Sequence, residues 1–184
     1  MVGKLVLVVG PSGVGKDTLL DAARKRLSDQ AGYFFPRRFI TRPKNAGGED
    51  HIALSPEDFN LAEAEERFAL SWRAHDLAYG VPYCIVSEIA KGSTAIVNVS
   101  RGIIDQTRKR FSNVLIACIT ASEEILKQRL RERGRESEAE IEKRLCQASA
   151  YRLIGDHIHL IDNSGPLDAS VARFLDVIGA QPKG

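Results

Sequence analysis

The stretch Leu5-Val6-Leu7-Val8-Val9-Gly10-Pro11-Ser12-Gly13-Val14-Gly15-Lys16-Asp17-Thr18 decides the fold. Its first five residues are a continuous apolar run, which predicts a buried strand. The glycines permit backbone angles that a Cβ atom would obstruct. A strand, a glycine-rich turn and a lysine that opens a helix form a cradle for nucleotide phosphates, because backbone N–H groups and the positive helix end point at phosphate oxygens. The alternative, a turn without a ligand, is disfavoured because strand, spacing and lysine are all present.

Asp17 departs from the usual form of this loop. The position after the lysine usually carries Ser or Thr, whose hydroxyl helps to hold Mg²⁺. A carboxylate also suits a hard cation, and so close to a triphosphate it would be repelled unless a metal lay between them. We therefore expect Mg²⁺ at Asp17 and Thr18. The alternative is that Asp17 only stabilises the first turn of the helix.

Composition and charge fit a single enzyme-sized domain. The chain has 184 residues, 43% of them hydrophobic, which is enough for a sizeable core. Its net charge is only +2, from 26 basic and 24 acidic residues, which argues against nucleic acid as a partner. Three scattered cysteines form neither a disulfide framework nor a zinc site, and this indicates a reducing compartment, the cytoplasm. We find no signal-peptide pattern and no apolar stretch near the ~18 residues of a membrane span.

The rest of the chain alternates between helical and strand patterns. Helices are predicted from the phosphate loop to about Ser28, after Ser55, from Gly102 to about Arg110, from Ser122 to Gly134, then to about Leu153, and over 167–178. Strands are predicted at 39–40, 94–99, 114–119 and 158–161, with a strand-rich insert around 68–72 and a turn at 80–82. This alternation predicts an α/β fold of three layers, with a mainly parallel five-stranded sheet covered on both faces.

From about residue 4 to 178 the chain resembles the guanylate kinase branch of the nucleoside monophosphate kinases. The resemblance lies in Gly10-Pro11-Ser12-Gly13, Thr41-Arg42-Pro43, Gly48-Glu49, the 68–72 stretch, Tyr79-Gly80 and the segment from Arg133-Gly134 to Arg144-Leu145. It implies a core of residues 1–36 and 94–178, an inserted lobe at 37–93 that binds the acceptor phosphate, and a lid at 132–146. It also implies ATP as the phosphoryl donor, with Mg²⁺.

The same resemblance assigns roles to individual residues. Arg42 and Lys44 match positions that handle the acceptor phosphate, and Tyr79 lies in the acceptor lobe. Arg133 and Arg144 match lid arginines that contact the transferred phosphoryl group, with Arg135 beside the mobile turn as a further contact for the nucleotide. Together with Lys16, the two lid arginines form the expected catalytic set.

Three positions argue against guanine as the acceptor's base. Guanylate kinases carry an acid before the lobe tryptophan, where this chain has Ser71, and a hydroxyl residue after the Tyr-Gly pair, where it has Val81. A second family acid is replaced by Asn98 or Ser100. Because guanine presents N–H donors, losing these acceptors should cost several kcal/mol of binding.

The chain is more specifically similar to the ribose 1,5-bisphosphate phosphokinases, relatives of guanylate kinase used in phosphonate breakdown. The similarity lies in Gly15-Lys16-Asp17, residues 46–49, His51-Ile52-Ala53-Leu54-Ser55, 68–72 and 133–136. It implies transfer of the ATP γ-phosphoryl group to the 1-phosphate of ribose 1,5-bisphosphate, giving 5-phosphoribosyl 1-pyrophosphate and ADP. The acceptor is then already ionised, since the second pKa of a phosphate monoester is ~6, and no general base is needed.

Several assignments keep an alternative. His51 stands where the family has a phosphate-binding tyrosine, and it either binds substrate or has a capping role. Ser71 is a candidate substrate contact, and Tyr79 and Trp72 are candidates for the sugar site, although a lobe core also needs aromatic residues. Arg37, Arg38, Arg73 and Arg101 are candidates for charge around the acceptor phosphates, although a role as surface residues is favoured for each. Guanylate kinase and a non-catalytic binding module remain the alternative functions, and a homodimer is compatible with the sequence.

Overall fold

Leu5, Val6, Leu7, Val8 and Val9 have no solvent-exposed surface. They form most of the first strand, and their continuous apolar character is typical of a strand covered on both faces. The computed structural model describes residues 3–44, 49–134, 137–149, 153, 155 and 157–180. The predicted site residue Arg135, and residues 46–48 and 136 of the similarity motifs, lie outside these described residues.

The described residues contain nine strands in two sheets. In chain order they are β1 (Lys4–Val9), β2 (Tyr33–Phe34), β3 (Phe39–Ile40), β4 (Ile52–Ala53), β5 (Phe68–Ala74), β6 (Leu77–Pro82), β7 (Thr94–Asn98), β8 (Val114–Thr120) and β9 (Ile158–Asp162). The five-stranded sheet has the order β2-β7-β1-β8-β9, and its β2–β7 and β8–β9 pairs are parallel. The predicted α/β fold with a five-stranded, mainly parallel core sheet is thus confirmed. The two-residue strand β2 was not predicted.

Apart from the helix Cys84–Ala90, which was not predicted, the helices begin and end close to their predicted limits. They are α1 (Lys16–Arg26), α2 (Pro56–Ala64), α3 (Cys84–Ala90), α4 (Ile104–Arg110), α5 (Glu123–Arg133), α6 (Glu138–Ser149) and α7 (Leu167–Ile178). The Ser55 hydroxyl accepts a hydrogen bond from the Asp58 amide at the start of α2, as expected of an N-terminal cap. Ser122 caps α5 in the same way, and Gly134 ends that helix in the left-handed conformation. Among the described helices, none combines the length and apolar character needed to cross a membrane.

The second sheet belongs to the predicted acceptor lobe and has the order β4-β3-β6-β5. Strands β5 and β6 form an antiparallel hairpin in which Trp72 pairs with Tyr79 and Ala74 with Leu77. The connecting turn is made by His75 and Asp76, both at positive φ, as a two-residue hairpin turn requires. The turn predicted at 80–82 is therefore wrong, since those residues lie within β6.

Contacts divide the chain into two units. One comprises the described residues up to 6 and those from 30 to 114; the other comprises 7–29 and the described residues from 115 onward. The predicted acceptor lobe, 37–93, falls within the first unit, and the predicted lid, 132–146, within the second. The finer division into core, lobe and lid remains a prediction.

Gly80 gives the lobe sheet room for its aromatic core. Phe59 and Phe68 pack with ring centroids 4.8 Å apart, and Phe39 lies 5.3 Å from Phe68. A Cβ atom on Gly80 would approach the Phe68 ring to 2.7 Å. The ring is held on other sides by its aromatic neighbours, so glycine is required here for packing.

We expect Gly80→Ala to lower the free energy of unfolding by about 1–3 kcal/mol, the usual cost of overpacking a filled core. Gly102→Ala is the matched control, because a Cβ atom there meets nothing within 4 Å. Denaturant unfolding of the two variants measures the difference. Equal stability of both variants would contradict the packing argument.

Candidate active site

The phosphate loop, residues 10–15, connects β1 to α1. Gly13 and Gly15 have φ of +87° and +91°, a region that side chains other than glycine rarely adopt. The Lys16 ammonium group folds back over the loop and donates hydrogen bonds to the carbonyls of Gly10 and Pro11, both at 2.8 Å. No side chain caps the start of α1, so its first N–H groups are directed at the loop without a competing side-chain acceptor. This is the geometry that a phosphate cradle needs.

The residues at the start of α1 fit a magnesium ion carried mainly by a nucleotide. Asp17 and Thr18 are exposed in the first turn. Within the described residues no group of three or more His, Cys, Asp or Glu side chains could hold a metal. Mg²⁺ is usually bound by one or two carboxylates together with substrate phosphates, so a single carboxylate at this place is compatible with it.

Arg129 and Asn163 support the phosphate loop from behind. The Val14 carbonyl accepts hydrogen bonds from Arg129 Nη1 at 3.2 Å and from Asn163 Nδ2 at 2.7 Å. Arg129 Nη2 also donates to the Asn163 carbonyl at 2.9 Å. A Cβ atom on Gly15 would lie 2.6 Å from Asn163 Nδ2, so this contact itself demands glycine. Sequence reasoning missed the role of Arg129, because its bond to Val14 joins residues far apart in the chain.

Two ion pairs connect α5 to α6 around the predicted lid. Arg131 binds Glu138 through two hydrogen bonds of 2.8 and 2.7 Å, and Lys127 lies 2.6 Å from Glu142. The hydrogen bond from Arg131 lowers the pKa of Glu138. Arg131 therefore has a structural role, because it joins α5 to α6.

The two predicted lid arginines occupy different positions. Arg133 is the exposed last residue of α5, and Arg144 lies half-buried in α6. Both belong to the same unit as the phosphate loop. Their contact with phosphate stays a prediction.

Arg42 carries a buried and unsatisfied cation in the acceptor lobe. Its Nε and Nη2 atoms are buried and have no hydrogen-bond partner in the described part of the chain. Buried guanidinium N–H groups normally have hydrogen-bond partners, because burying such a group without a partner costs free energy. The side chain is thus prepared for an anion. Lys44, two residues further on, is exposed.

Arg38 is also buried, contrary to its interpretation as a surface residue. Its side chain is 8% exposed and forms a two-pronged pair with Glu49, with Nε donating to Oε2 at 2.9 Å and Nη2 to Oε1. Its guanidinium lies 5.2 Å from the Tyr79 ring centre and 5.7 Å from that of Trp72. The two rings are stacked, with centroids 5.2 Å apart. The sequence gave no signal for the burial of Arg38. Its neighbour Arg37 is the same residue type and is nevertheless exposed.

Tyr79 lies among the charges of the lobe. The pKa of the Tyr79 hydroxyl is raised above its ordinary value, mainly by burial. The positive charges of Arg38 and Arg42 lower this pKa in part, and the negative charge of Glu49 raises it. The hydroxyl thus stays protonated at neutral pH and can donate a hydrogen bond to an anion.

His51 holds the backbone on either side of residues 43–48. It is buried, and its ring nitrogens lie 3.0 Å from two backbone carbonyls, Nδ1 from that of Glu49 and Nε2 from that of Arg42. A neutral imidazole has one N–H donor, so the ring can bind one of these carbonyls at a time unless it is doubly protonated. The structure thus supports a capping role for His51, the alternative that the sequence left open, and its contact with substrate stays a prediction.

Ser71 lies on the opposite face of β5 from Trp72. Neighbouring strand residues point to opposite faces, and Ser71 pairs with Gly80 while Trp72 pairs with Tyr79. A hydrogen bond from Ser71 contributes to the lowered pKa of Glu63 on α2, after the larger effect of Arg73. Ser71 and Tyr79 therefore lie on opposite faces of the lobe sheet, and the contact of Ser71 with substrate stays a prediction.

The loop, its lysine and the parallel sheet define a kinase of the phosphate-loop class. The chain is structurally similar to guanylate kinase from Anaplasma phagocytophilum, with a TM-score of 0.67 and 17% identity over 100% of this chain and 88% of that one. At this identity the similarity shows the fold. The guanylate kinase family model matches residues 2–180.

Sequence relatives narrow the family further. The chain is 46% identical to ribose 1,5-bisphosphate phosphokinase PhnN of Brucella melitensis, over 94% of this chain and 90% of the relative. It is 45% identical to the protein of the same name from Pseudomonas fluorescens, over 95% and 94%. The chain therefore belongs to the guanylate kinase family and, within it, to the ribose 1,5-bisphosphate phosphokinases.

We expect Arg129→Met to raise the dissociation constant for ATP about tenfold, because the loop carbonyl at Val14 loses a charged donor worth about 1.5–3 kcal/mol. Arg131→Met is the control, since both of its hydrogen bonds go to Glu138, and ATP affinity should stay at the wild-type level. Calorimetric titration with ATP measures both. Wild-type affinity in both variants would show that Arg129 does not shape the loop.

Proposed function

We propose that this chain transfers the γ-phosphoryl group of ATP to the 1-phosphate of ribose 1,5-bisphosphate, forming 5-phosphoribosyl 1-pyrophosphate and ADP. The observation that carries the proposal is the 46% identity, over nearly the whole chain, to a protein that bears this activity in its name. An oxygen of the 1-phosphate attacks the γ-phosphorus, and the bond from that phosphorus to the bridging oxygen of ADP breaks. The attacking oxygen is already ionised at neutral pH, so proton removal is not required.

The phosphate loop supports the donor half of this reaction. Lys16 lies directly over the loop, where its charge would meet the outer phosphates of ATP once they replace the Gly10 and Pro11 carbonyls as its acceptors. Asp17 and Thr18 would hold Mg²⁺ beside those phosphates, and the ion would neutralise part of their charge. Arg133 and Arg144 would stabilise negative charge on the migrating group, and Arg135 would add a further contact.

Arg42 supports the acceptor half. A phosphate would satisfy the two buried nitrogens that the described residues leave without partners, and a guanidinium fork matches phosphate geometry. The Tyr79 hydroxyl and Lys44 would contribute further donors. We assign these residues to a phosphate that does not move during the reaction.

The lobe does not favour guanine as part of the acceptor. Val81 stands where a hydroxyl would read the base, and it is fully buried. The Ser71 hydroxyl stands in place of a family acid and is bonded to Glu63. A cytoplasmic location belongs to the same proposal, supported by Cys84, Cys118 and Cys146, none of which forms a disulfide within the described residues.

The proposal is tested by giving the purified protein ATP and Mg²⁺ with either ribose 1,5-bisphosphate or GMP and measuring ADP. We expect ADP with the bisphosphate, together with phosphoribosyl pyrophosphate detected by mass. Lys16→Ala should abolish most of the turnover without unfolding the protein, and it controls for contaminating kinases. Turnover with GMP alone would identify a guanylate kinase, and no turnover with either acceptor would identify a non-catalytic module.

The lobe and lid arginines should separate kinetically. We expect Arg42→Ala to raise the acceptor KM with little change in kcat, because its phosphate is bound equally before and during transfer. Arg133→Ala and Arg144→Ala should each lower kcat, with a rise of ~2–4 kcal/mol in the activation free energy, because their charges act on the transition state. Steady-state kinetics of the three variants checks this. The reverse pattern would exchange the two assignments.

A further inference from the structure

Two arginines of the acceptor lobe differ in their partners. Glu49 binds Arg38, whereas the Nε and Nη2 atoms of Arg42 have no partner within the described residues. His51 brings the backbones of Arg42 and Glu49 to the same ring, each carbonyl 3.0 Å from a ring nitrogen. Arg38, Arg42 and Glu49 all act electrostatically on the Tyr79 hydroxyl. Both arginines and the carboxylate thus act on the same tyrosine hydroxyl, and Glu49 is paired with Arg38 and not with Arg42.

The surroundings of Arg38 favour its pairing with the Glu49 carboxylate. Its guanidinium lies near the Tyr79 and Trp72 rings, 5.2 and 5.7 Å from their centres, and the Trp72 indole is itself fixed by a hydrogen bond to Ser100 at 2.9 Å. The planar fork is thus held in place before it binds the carboxylate, which reduces the side-chain entropy lost on pairing. Both oxygens of Glu49 are occupied by this fork.

We propose that Arg38 is a positioning residue that sequesters the Glu49 carboxylate and so keeps Arg42 available for the acceptor phosphate. If Arg38 lost its charge, Glu49 would be a partly buried carboxylate, 19% exposed, without its present partner. Such a group favours pairing with another cation, and Arg42 has guanidinium donors without partners among the described residues of the same lobe. The carboxylate would then compete with the phosphate of the acceptor. This inference rests on the proposed binding of an acceptor phosphate by Arg42.

The first test is Arg38→Met, which keeps the length and apolar stem of the side chain but removes its charge. The KM for ribose 1,5-bisphosphate should rise at least about tenfold, the effect of a competing interaction of about 1.4 kcal/mol, while kcat and the KM for ATP stay close to wild type. Arg38→Lys, which keeps the charge but not the fork, should give a smaller rise and serves if the Met variant does not fold.

Arg73→Met is the matched control in the same lobe. Arg73 also binds a glutamate through two prongs, at 3.0 and 2.6 Å to Glu63, and its guanidinium lies 5.0 Å from the Phe59 ring centre. It lies on the other face of the lobe sheet, beside α2, with half of its side chain exposed. This variant should leave the acceptor KM unchanged.

The decisive measurement is whether a second substitution, at Glu49, restores the acceptor KM of Arg38→Met. Glu49→Gln removes the competing charge, so the Arg38→Met/Glu49→Gln double variant should recover an acceptor KM near wild type. Adding Arg38→Met to Arg42→Ala should cause no further rise, because the arginine that Glu49 would capture is gone. If Arg38 instead contacts the phosphate directly, the double variant stays as weak as Arg38→Met, and the inference is overturned. A merely structural role would raise the KM for ATP as well and would also overturn it.

Calorimetric binding of ribose 1,5-bisphosphate in the absence of ATP separates this inference from the proposed function. Wild-type binding without turnover contradicts the function alone, and the variant pattern can still be read from the dissociation constants. Turnover and binding without rescue contradict the inference alone. If the wild-type protein neither binds nor converts the bisphosphate, both are wrong.

Discussion

Phosphoryl transfer needs positive charge that the chain's own carboxylates do not neutralise, and this constraint governs the placement of the arginines. The chain has 26 basic and 24 acidic residues, so acids are available for almost every cation. Arg26 is bonded to Asp168, Arg73 to Glu63 and Arg131 to Glu138, all at exposed positions. Such surface pairs contribute little stability, typically about 0–1 kcal/mol each. Their main consequence is geometric, because they join neighbouring helices and strands. They also engage carboxylates that could otherwise pair with other arginines.

The backbone carbonyls of the phosphate loop also need hydrogen-bond partners. Its N–H groups must converge on one point, which strains the chain and turns some of its carbonyls toward the interior. Arg129 and Asn163 satisfy one of these carbonyls, that of Val14. The side chain of Leu130 would be 2.9 Å from a Cβ atom on Gly13. The glycine pattern of the loop thus reflects packing against α5 and the end of β9 as well as the approach of a ligand.

Features encoded by neighbouring residues could be predicted from the sequence, and features that depend on distant pairs could not. The helix at 167–178 and the caps at Ser55 and Ser122 were predicted correctly, because apolar spacing and capping residues are local signals. The phosphate loop was recognisable for the same reason. Strand β2 has two residues and is defined by its pairing with β7, sixty residues later. The burial of Arg38 depends on β5, β6 and Glu49 together, and its own neighbours in the sequence carry no trace of it.

The acceptor site shows why some local positions resist prediction even when the family is evident. A histidine at residue 51 has the chemistry to bind phosphate, but its two ring nitrogens lie 3.0 Å from the carbonyls of Arg42 and Glu49. Whether a polar side chain serves the ligand or the protein is decided by which partners the folded backbone offers. Strand parity acts in the same way on Ser71, which is one residue from Trp72 yet on the other face.

The unsatisfied guanidinium of Arg42 connects stability with selectivity. A buried donor without a partner costs about 1–3 kcal/mol, and more for a charged group, so the lobe keeps this penalty as long as no anion is bound. A ligand that supplies phosphate oxygens removes the penalty and also gains charge-assisted hydrogen bonds. A neutral sugar of the same shape would leave the penalty in place and would add the cost of desolvating its own hydroxyls. With Arg42 as the proposed ligand of the acceptor phosphate, selection for a phosphorylated acceptor would thus follow from two buried donors that the described residues leave without partners.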